Sequence, residues 1–356
     1  MARGNRFLVI VITGIALHAI AQELTGTFLF VTSTWESWLT YKGNYFLPGQ
    51  TLQRVGSFLI NPDSLGVFLA TTTPIILGLA LAGRSRIERL AWLGGTIVML
   101  VALLFTYSNA SWAAFGAGML VFLLLVVRGR LRAYLIGFGC LMALVLVVGF
   151  PQRVEALIAH ATSPREYALR FAVWHTGLNT ILGNPLLGVG LGANSYMAHE
   201  NLYRVPEQDV LVFHPHNSFL EIGAAAGVPV LLLLLIVYAA AMRRALHAYR
   251  RADRRGQMLI GAGIVSVIAF TVNALATNGL TLPPLVVLDW LILGAVSSPR
   301  LASIIARPSA QLAPAVAPAA DGQPTDAREL SPSGDSGAHA ESPALATSGS
   351  ASGGEP

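Results

Sequence analysis

The sequence predicts an all-α, polytopic membrane protein of about eight transmembrane helices, with a long outer loop that carries a short surface helix. Three observations lead there. The 356 residues are 54% hydrophobic and only 12% charged, with a mean hydropathy of +0.61; a soluble domain carries about a quarter charged residues. Several apolar runs reach the roughly 20 residues that a membrane-spanning helix needs. The arginines gather in short clusters between those runs, as topology signals do. That clustering also disposes of the nucleic-acid reading that a net charge of +5 would otherwise invite.

In chain order, Arg3 and Arg6 precede an apolar core, and the first span is Phe7 to Ala21. No small-x-small cleavage site follows, so it reads as an uncleaved helix rather than a signal peptide. A polar, aromatic stretch follows, with Trp35, Trp38, Tyr41 and Tyr45, side chains that favour the membrane–water boundary. Ser64 to Ala82 is the second span, closed by Arg84, Arg86 and Arg89. Leu90 to Val127 carries no charge and is long enough for two spans, broken at the polar turn 107–111. Arg128, Arg130 and Arg132 end the fourth span, and Ala133 to Phe150 is the fifth. Ser218 to Met242, Gly256 to Thr277 and Leu280 to Val296 complete the eight, the last two joined by a tight turn at Asn278-Gly279. Residues 1–298 thus form the transmembrane unit. The tail, 299–356, is rich in Pro, Ala, Ser and Gly and lacks the apolar content for a core, so disorder is expected. The one cysteine, Cys140, excludes an intramolecular disulfide.

With the N-terminus in the cytoplasm, the arginine clusters at 84–89, 128–132 and 243–255 all fall inside. The polar stretches 22–63 and 151–217 both fall outside, and the tail returns to the cytoplasm. A parity shift of one would expose the densest cluster, against the positive-inside tendency.

The outer stretch 151–217 is where chemistry would sit. From Glu166 to Leu182 the apolar residues Leu169, Val173 and Ile181 recur at helical spacing, and Asn184-Pro185 stops the pattern. Arg170 and Trp174, four apart, share a face, with Trp174 at the membrane interface. The glycine-rich run 183–192 looks like a phosphate cradle. No strand–helix unit surrounds it, so close backbone packing or a tight turn is the better reading. The segment from Val212 to Gly227 then sets His214, His216, Asn217, Ser218 and Glu221 at the mouth of a span, where polar groups need a reason. An arginine fork matches phosphate or diphosphate, and a histidine titrating near neutrality can take a proton from a hydroxyl. The same residues have plainer uses: Arg170 as a headgroup contact, His216 as a structural hydrogen bonder.

Taken together, Arg170-xxx-Trp174, then Asn184-Pro-Leu-Leu-Gly-Val-Gly-Leu-Gly192, then His216-Asn217-Ser218-Phe219-Leu220 before Gly227 resemble the O-antigen ligase and polymerase superfamily. Arg54-Val-Gly-Ser-Phe-Leu-Ile-Asn61-Pro62-Asp63 resembles the start of that family's shared region, and the likeness runs from about Arg54 to Leu293. The resemblance implies a GT-C-like fold in the bacterial inner (cytoplasmic) membrane, active at the periplasmic face. It implies transfer of a glycan from an undecaprenyl-diphosphate-linked donor to a lipid or glycan hydroxyl, with no metal and no cofactor. On it, Arg170 binds the diphosphate, His216 assists the acceptor and Arg54 is a second phosphate contact. Trp174, Asn217 and Glu221 complete the expected substrate-binding set, among membrane lipids. Ligase, polymerase and protein O-glycosylation remain open. The sequence departs from the family in three places. Eight spans stand where members have about ten to twelve, which points to a short form or a start assigned late. Ser108-Asn109 replaces a frequent Ser-Arg, and Ala225 replaces an acid, with Glu221 one turn earlier. The alternative of another class is a non-catalytic transporter or lipid-linked glycan binding protein. A transporter should show inverted repeats and mid-membrane polar sites, and none is evident.

Overall fold

A computed structural model describes residues 2–25, 54–59, 61–83 and 85–298. The aromatic stretch with Trp35, Trp38, Tyr41 and Tyr45, residue Arg84 and the tail 299–356 lie outside them. The described residues form α1 (Ala2–Thr25), a 3-10 turn (Ser57–Leu59), α2 (Pro62–Ala82), α3 (Arg86–Thr106), α4 (Asn109–Val121) ending in a π turn (Phe122–Val126), and α5 (Arg130–Gly149). Then come α6 (Pro151–Ala161), α7 (Pro164–Gly183), α8 (Ala193–Tyr203), α9 (Ser218–Arg251), α10 (Arg254–Ala274) and α11 (Pro283–Ser297). No strand occurs among them. Among the described residues, six helices are long and apolar enough to cross a membrane: α2, α3, α4 with its π turn, α5, α9 and α10. Two shorter apolar helices, Ile10–Thr25 and Pro283–Ser297, stand where the first and eighth spans were expected.

The centre of the bundle is α2 packed against α10, with α3 and α4 alongside. Little hydrophobic force acts between helices in lipid, so small residues that let backbones close up decide which helices meet. A Cβ on Gly78 of α2 would lie 2.4 Å from the Ala262 Cβ of α10, so glycine is required at that crossing. Two core hydroxyls are satisfied locally: Thr72 and Thr73 donate to the carbonyls of Phe68 and Leu69. Asn273 of α10 donates to Ser111 Oγ of α4 at 3.0 Å, a buried polar tie between two spans. By contrast α5 buries none of its residues fully, and only a few of them, such as Leu131, Leu135 and Leu146, pack against the bundle.

Local signals fix the ends that matter for the site. Asn61 caps α2, its Oδ1 accepting from the N–H groups of Asp63 and Ser64, and Pro62 occupies the first helical position. At 34 residues α9 would run ~51 Å as one helix, well beyond the ~30 Å hydrocarbon core. It is interrupted at Gly227, whose φ of 85° and ψ of 167° are not helical, and Pro229 follows. The expected surface helix 166–182 is α7, ended at Asn184. Two helices not expected from the sequence, α6 and α8, flank it.

Candidate active site

An open cavity of about 450 Å³ lies where the ends of α2, α3 and α10 meet α6, α7 and the segment before α9. Its wall includes Arg54, Asp63, His160, Glu166, Arg170, His214 and His216.

Arg54 is largely buried and held on two sides. Its Nε donates to the Thr106 carbonyl at 2.9 Å, and its Nη2 pairs with Asp63 Oδ1 at 2.7 Å. The arginine therefore stitches the loop before α2 to the end of α3. That end is closed by Tyr107, a non-glycine residue at φ +51°. The Tyr107 hydroxyl accepts from Arg153 Nη1 at 3.0 Å. Arg153, on α6, also pairs with the Glu23 carboxylate of α1 and sits 5.3 Å over the Phe105 ring. One arginine so locks α6 to the floor of the cavity.

Arg170 projects from α7 and donates from Nη1 to the Ala276 carbonyl, 3.0 Å away beyond the end of α10. It stands at the junction with a second chamber of about 270 Å³ that is mostly apolar, lined by Tyr167, Phe171, Trp174, Ala110 and Ala113. Trp174 meets Phe171 edge-to-face at 5.7 Å, and its buried indole N–H has no hydrogen-bond partner among the described residues.

Gly177, two turns beyond Arg170, seats the histidine segment on α7. A Cβ there would lie 3.0 Å from the Pro215 Cβ. His214 and His216 flank Pro215, their rings edge-to-face at 4.5 Å, and the His216 N–H donates to His214 Nδ1 at 3.3 Å. That bond needs His214 Nδ1 unprotonated, and burial, then the neighbouring His216, push the His214 pKa down to about 3. The His216 pKa is also lowered, first by burial and then by the Arg170 charge, against the opposing pull of Asp63 and Glu166. Burial likewise lowers His160. His216 lines the cavity from an exposed position, and its φ of +50° marks a strained backbone aimed by its surroundings. Behind it, the fully buried Glu200 of α8 accepts from the Val212 N–H at 3.0 Å and from the Gln208 amide, pinning the chain that leads to His214.

Two expected binding residues lie behind this wall. Asn217 caps α9, its Oδ1 accepting from Phe219 N at 3.0 Å and Leu220 N at 3.2 Å. Glu221, one turn on, does not line the cavity, and its Oε2 is buried without a hydrogen-bond partner among the described residues. Asp63, His160 and Glu166 line it although the sequence did not single them out. The glycine-rich run also has a structural use. Val189 and Gly190 donate to the Ala224 and Ala225 carbonyls, and Val228 donates to the Pro185 carbonyl. The loop thereby satisfies the backbone groups that the break at Gly227 leaves open.

Residues 94–235, from α3 into α9, match the sequence model of a family described as O-antigen ligase. They include Arg170, Trp174, His216, Asn217 and Glu221, and Arg54 precedes them. Three curated relatives, each provisionally named a polysaccharide ligase, are similar. The Rickettsia conorii protein is 29% identical over 151 residues, 40% of this chain and 36% of its own. The Rickettsia typhi protein is 29% identical over 153 residues, 40% and 37%. The Rickettsia felis protein is 30% identical over 161 residues, again 40% and 37%. The chain thus spans little more than a third of the length of the curated relatives it matches. The O-antigen ligase likeness agrees with the multi-pass helical architecture and with the motifs around Arg170 and His216.

Proposed function

We propose that this chain transfers a glycan from an undecaprenyl-diphosphate-linked donor to a hydroxyl acceptor, without a metal or cofactor, at the periplasmic face of the bacterial inner membrane. The observation that carries the reading is one cavity lined by both an arginine, Arg170, and a histidine, His216.

A neutral imidazole at His216 takes the proton of the acceptor hydroxyl as its oxygen bonds to the anomeric carbon. The bond from that carbon to the diphosphate oxygen breaks, and the leaving diphosphate keeps the electron pair. Its growing charge falls on the Arg170 guanidinium, whose planar fork suits two parallel charge-assisted hydrogen bonds. Donor binding also offsets the Arg170 charge that depresses His216, so the base strengthens once the donor is in place. Arg54 Nη1, not engaged among the described residues, is a second phosphate contact. The chamber with Trp174 and Phe171 accepts the first apolar units of the lipid. Asn217 serves indirectly, by capping the helix that follows His216. Orientation rests on the arginine clusters at 128–132 and 243–255, which stand at the ends of their spans remote from the cavity-lining segments and belong inside.

The test is transfer from a purified lipid-linked donor by reconstituted protein. His216→Ala should lower turnover about 10²–10⁴-fold with donor binding kept. Because the His216 pKa is lowered from 6.5, the imidazole stays neutral at neutral pH. Wild-type turnover should hold down to pH 6.5 and fall only as pH drops through the lower value. Turnover unaffected by His216→Ala, or donor binding by the wild type without any transfer, would count against the enzyme reading.

A further inference from the structure

We infer that the glycine-rich loop 184–192 is embedded in the bilayer, its leucines forming a lipid-contacting ledge continuous with the outer face of α9. The inference stands apart from the glycan-transfer reading. Leu186, Leu187 and Leu191 are 72%, 85% and 80% exposed, far more than large apolar side chains tolerate together in water. The loop's backbone is packed on the break in α9: a Cβ on Gly227 would lie 2.3 Å from the Leu186 carbonyl oxygen and 3.0 Å from Leu187 N. Immediately past that break begins the face of α9 that meets lipid, with Leu232, Leu233 and Ile236 exposed. The ledge therefore sits level with the start of a span.

Two further observations choose lipid over water or a soluble partner. No Lys, Arg, Asp or Glu occurs between Arg170 and Glu200, so the chain on either side of the ledge gives it no charged rim such as a protein interface has. Irregular backbone at membrane depth must also have its polar groups satisfied by protein. That requirement is met in part here: Pro185 has no N–H to satisfy, and the consecutive N–H groups of Gly188, Val189 and Gly190 donate to the carbonyls of Asn184, Ala224 and Ala225. The packing that joins the loop to α9 then sets how far His216, two residues before that helix, stands above the lipid.

Full-length protein carrying Cys140→Ser and a nitroxide on Leu187→Cys or Leu191→Cys, in phosphatidylglycerol–phosphatidylcholine liposomes, tests this by power-saturation EPR. Leu233→Cys on α9 supplies the lipid reference and the exposed Glu207→Cys the aqueous one. Labels at 187 and 191 should respond to oxygen and not to a water-soluble nickel chelate, as at 233. A nickel response like that at 207 would overturn the ledge. Protection from both reagents would overturn it equally, since protein, from a second copy or from this chain, would then cover the leucines.

Discussion

Replacing Gly188 by alanine should be among the most damaging single-methyl changes in this protein. The residue has φ +67°, and a left-handed alanine costs about 1–2 kcal/mol. The added Cβ would also lie 2.4 Å from the Ala225 carbonyl carbon and 2.5 Å from the Ala224 oxygen, both backbone atoms of a packed helix. The loop and helix must then part. That breaks the bonds from Val189 N to Ala224 O, 2.8 Å, and from Gly190 N to Ala225 O, 3.0 Å. At about 0.5–1.5 kcal/mol net for each bond, the two add about 1–3 kcal/mol. The total is about 2–5 kcal/mol. Gly192→Ala is the control: its φ is +97°, but nothing lies within 4 Å of a Cβ there, so it carries about 1–3 kcal/mol of backbone strain alone. Unfolding in mixed detergent micelles, followed by circular dichroism, measures both. If Gly188→Ala proves no more destabilising than Gly192→Ala, the loop does not brace α9 as described.

Asn217→Ala should cost about 1 kcal/mol of stability through the lost cap, and Asn217→Asp should restore both stability and transfer; an Asp variant that is stable but inactive would mean that Asn217 touches substrate. Asn194→Cys in a Cys140→Ser background should react with an impermeant thiol reagent in intact spheroplasts; labelling only after lysis would reverse the proposed orientation.

The spans were legible because lipid leaves the backbone no option but long apolar helices, and arginines cluster at several of their ends. The helices α6 and α8 were not. Residues 193–203, ANSYMAHENLY, carry no apolar period, and α8 is held instead by tertiary contacts such as that of the buried Glu200 to Val212. Likewise, nothing local says that the glycine-rich run braces a break at Gly227, because the partner lies about forty residues away in the chain. The shared site of Arg170 and His216 came from the family resemblance; their periodicity could not place α7 against the segment before α9. The capping role of Asn217 was readable, since an Asn directly before an apolar helical run is a helix-start signal, and the polar cluster around it drew attention away. The Arg54–Asp63 pair was hidden because only the turn between them brings residues nine apart into contact.

The central claim is that Arg170 grips a diphosphate, and Arg170→Lys tests it most directly. Arg170 lines the cavity and spends Nη1 on the Ala276 carbonyl, which leaves its other guanidinium N–H groups for a ligand. Lysine keeps the charge but has no fork to present. With a purified lipid-linked donor, the lysine variant should insert normally yet lose about 2–4 kcal/mol of transition-state stabilisation, on the scale of one lost oxyanion donor. Transfer at the wild-type rate by that variant would contradict the account.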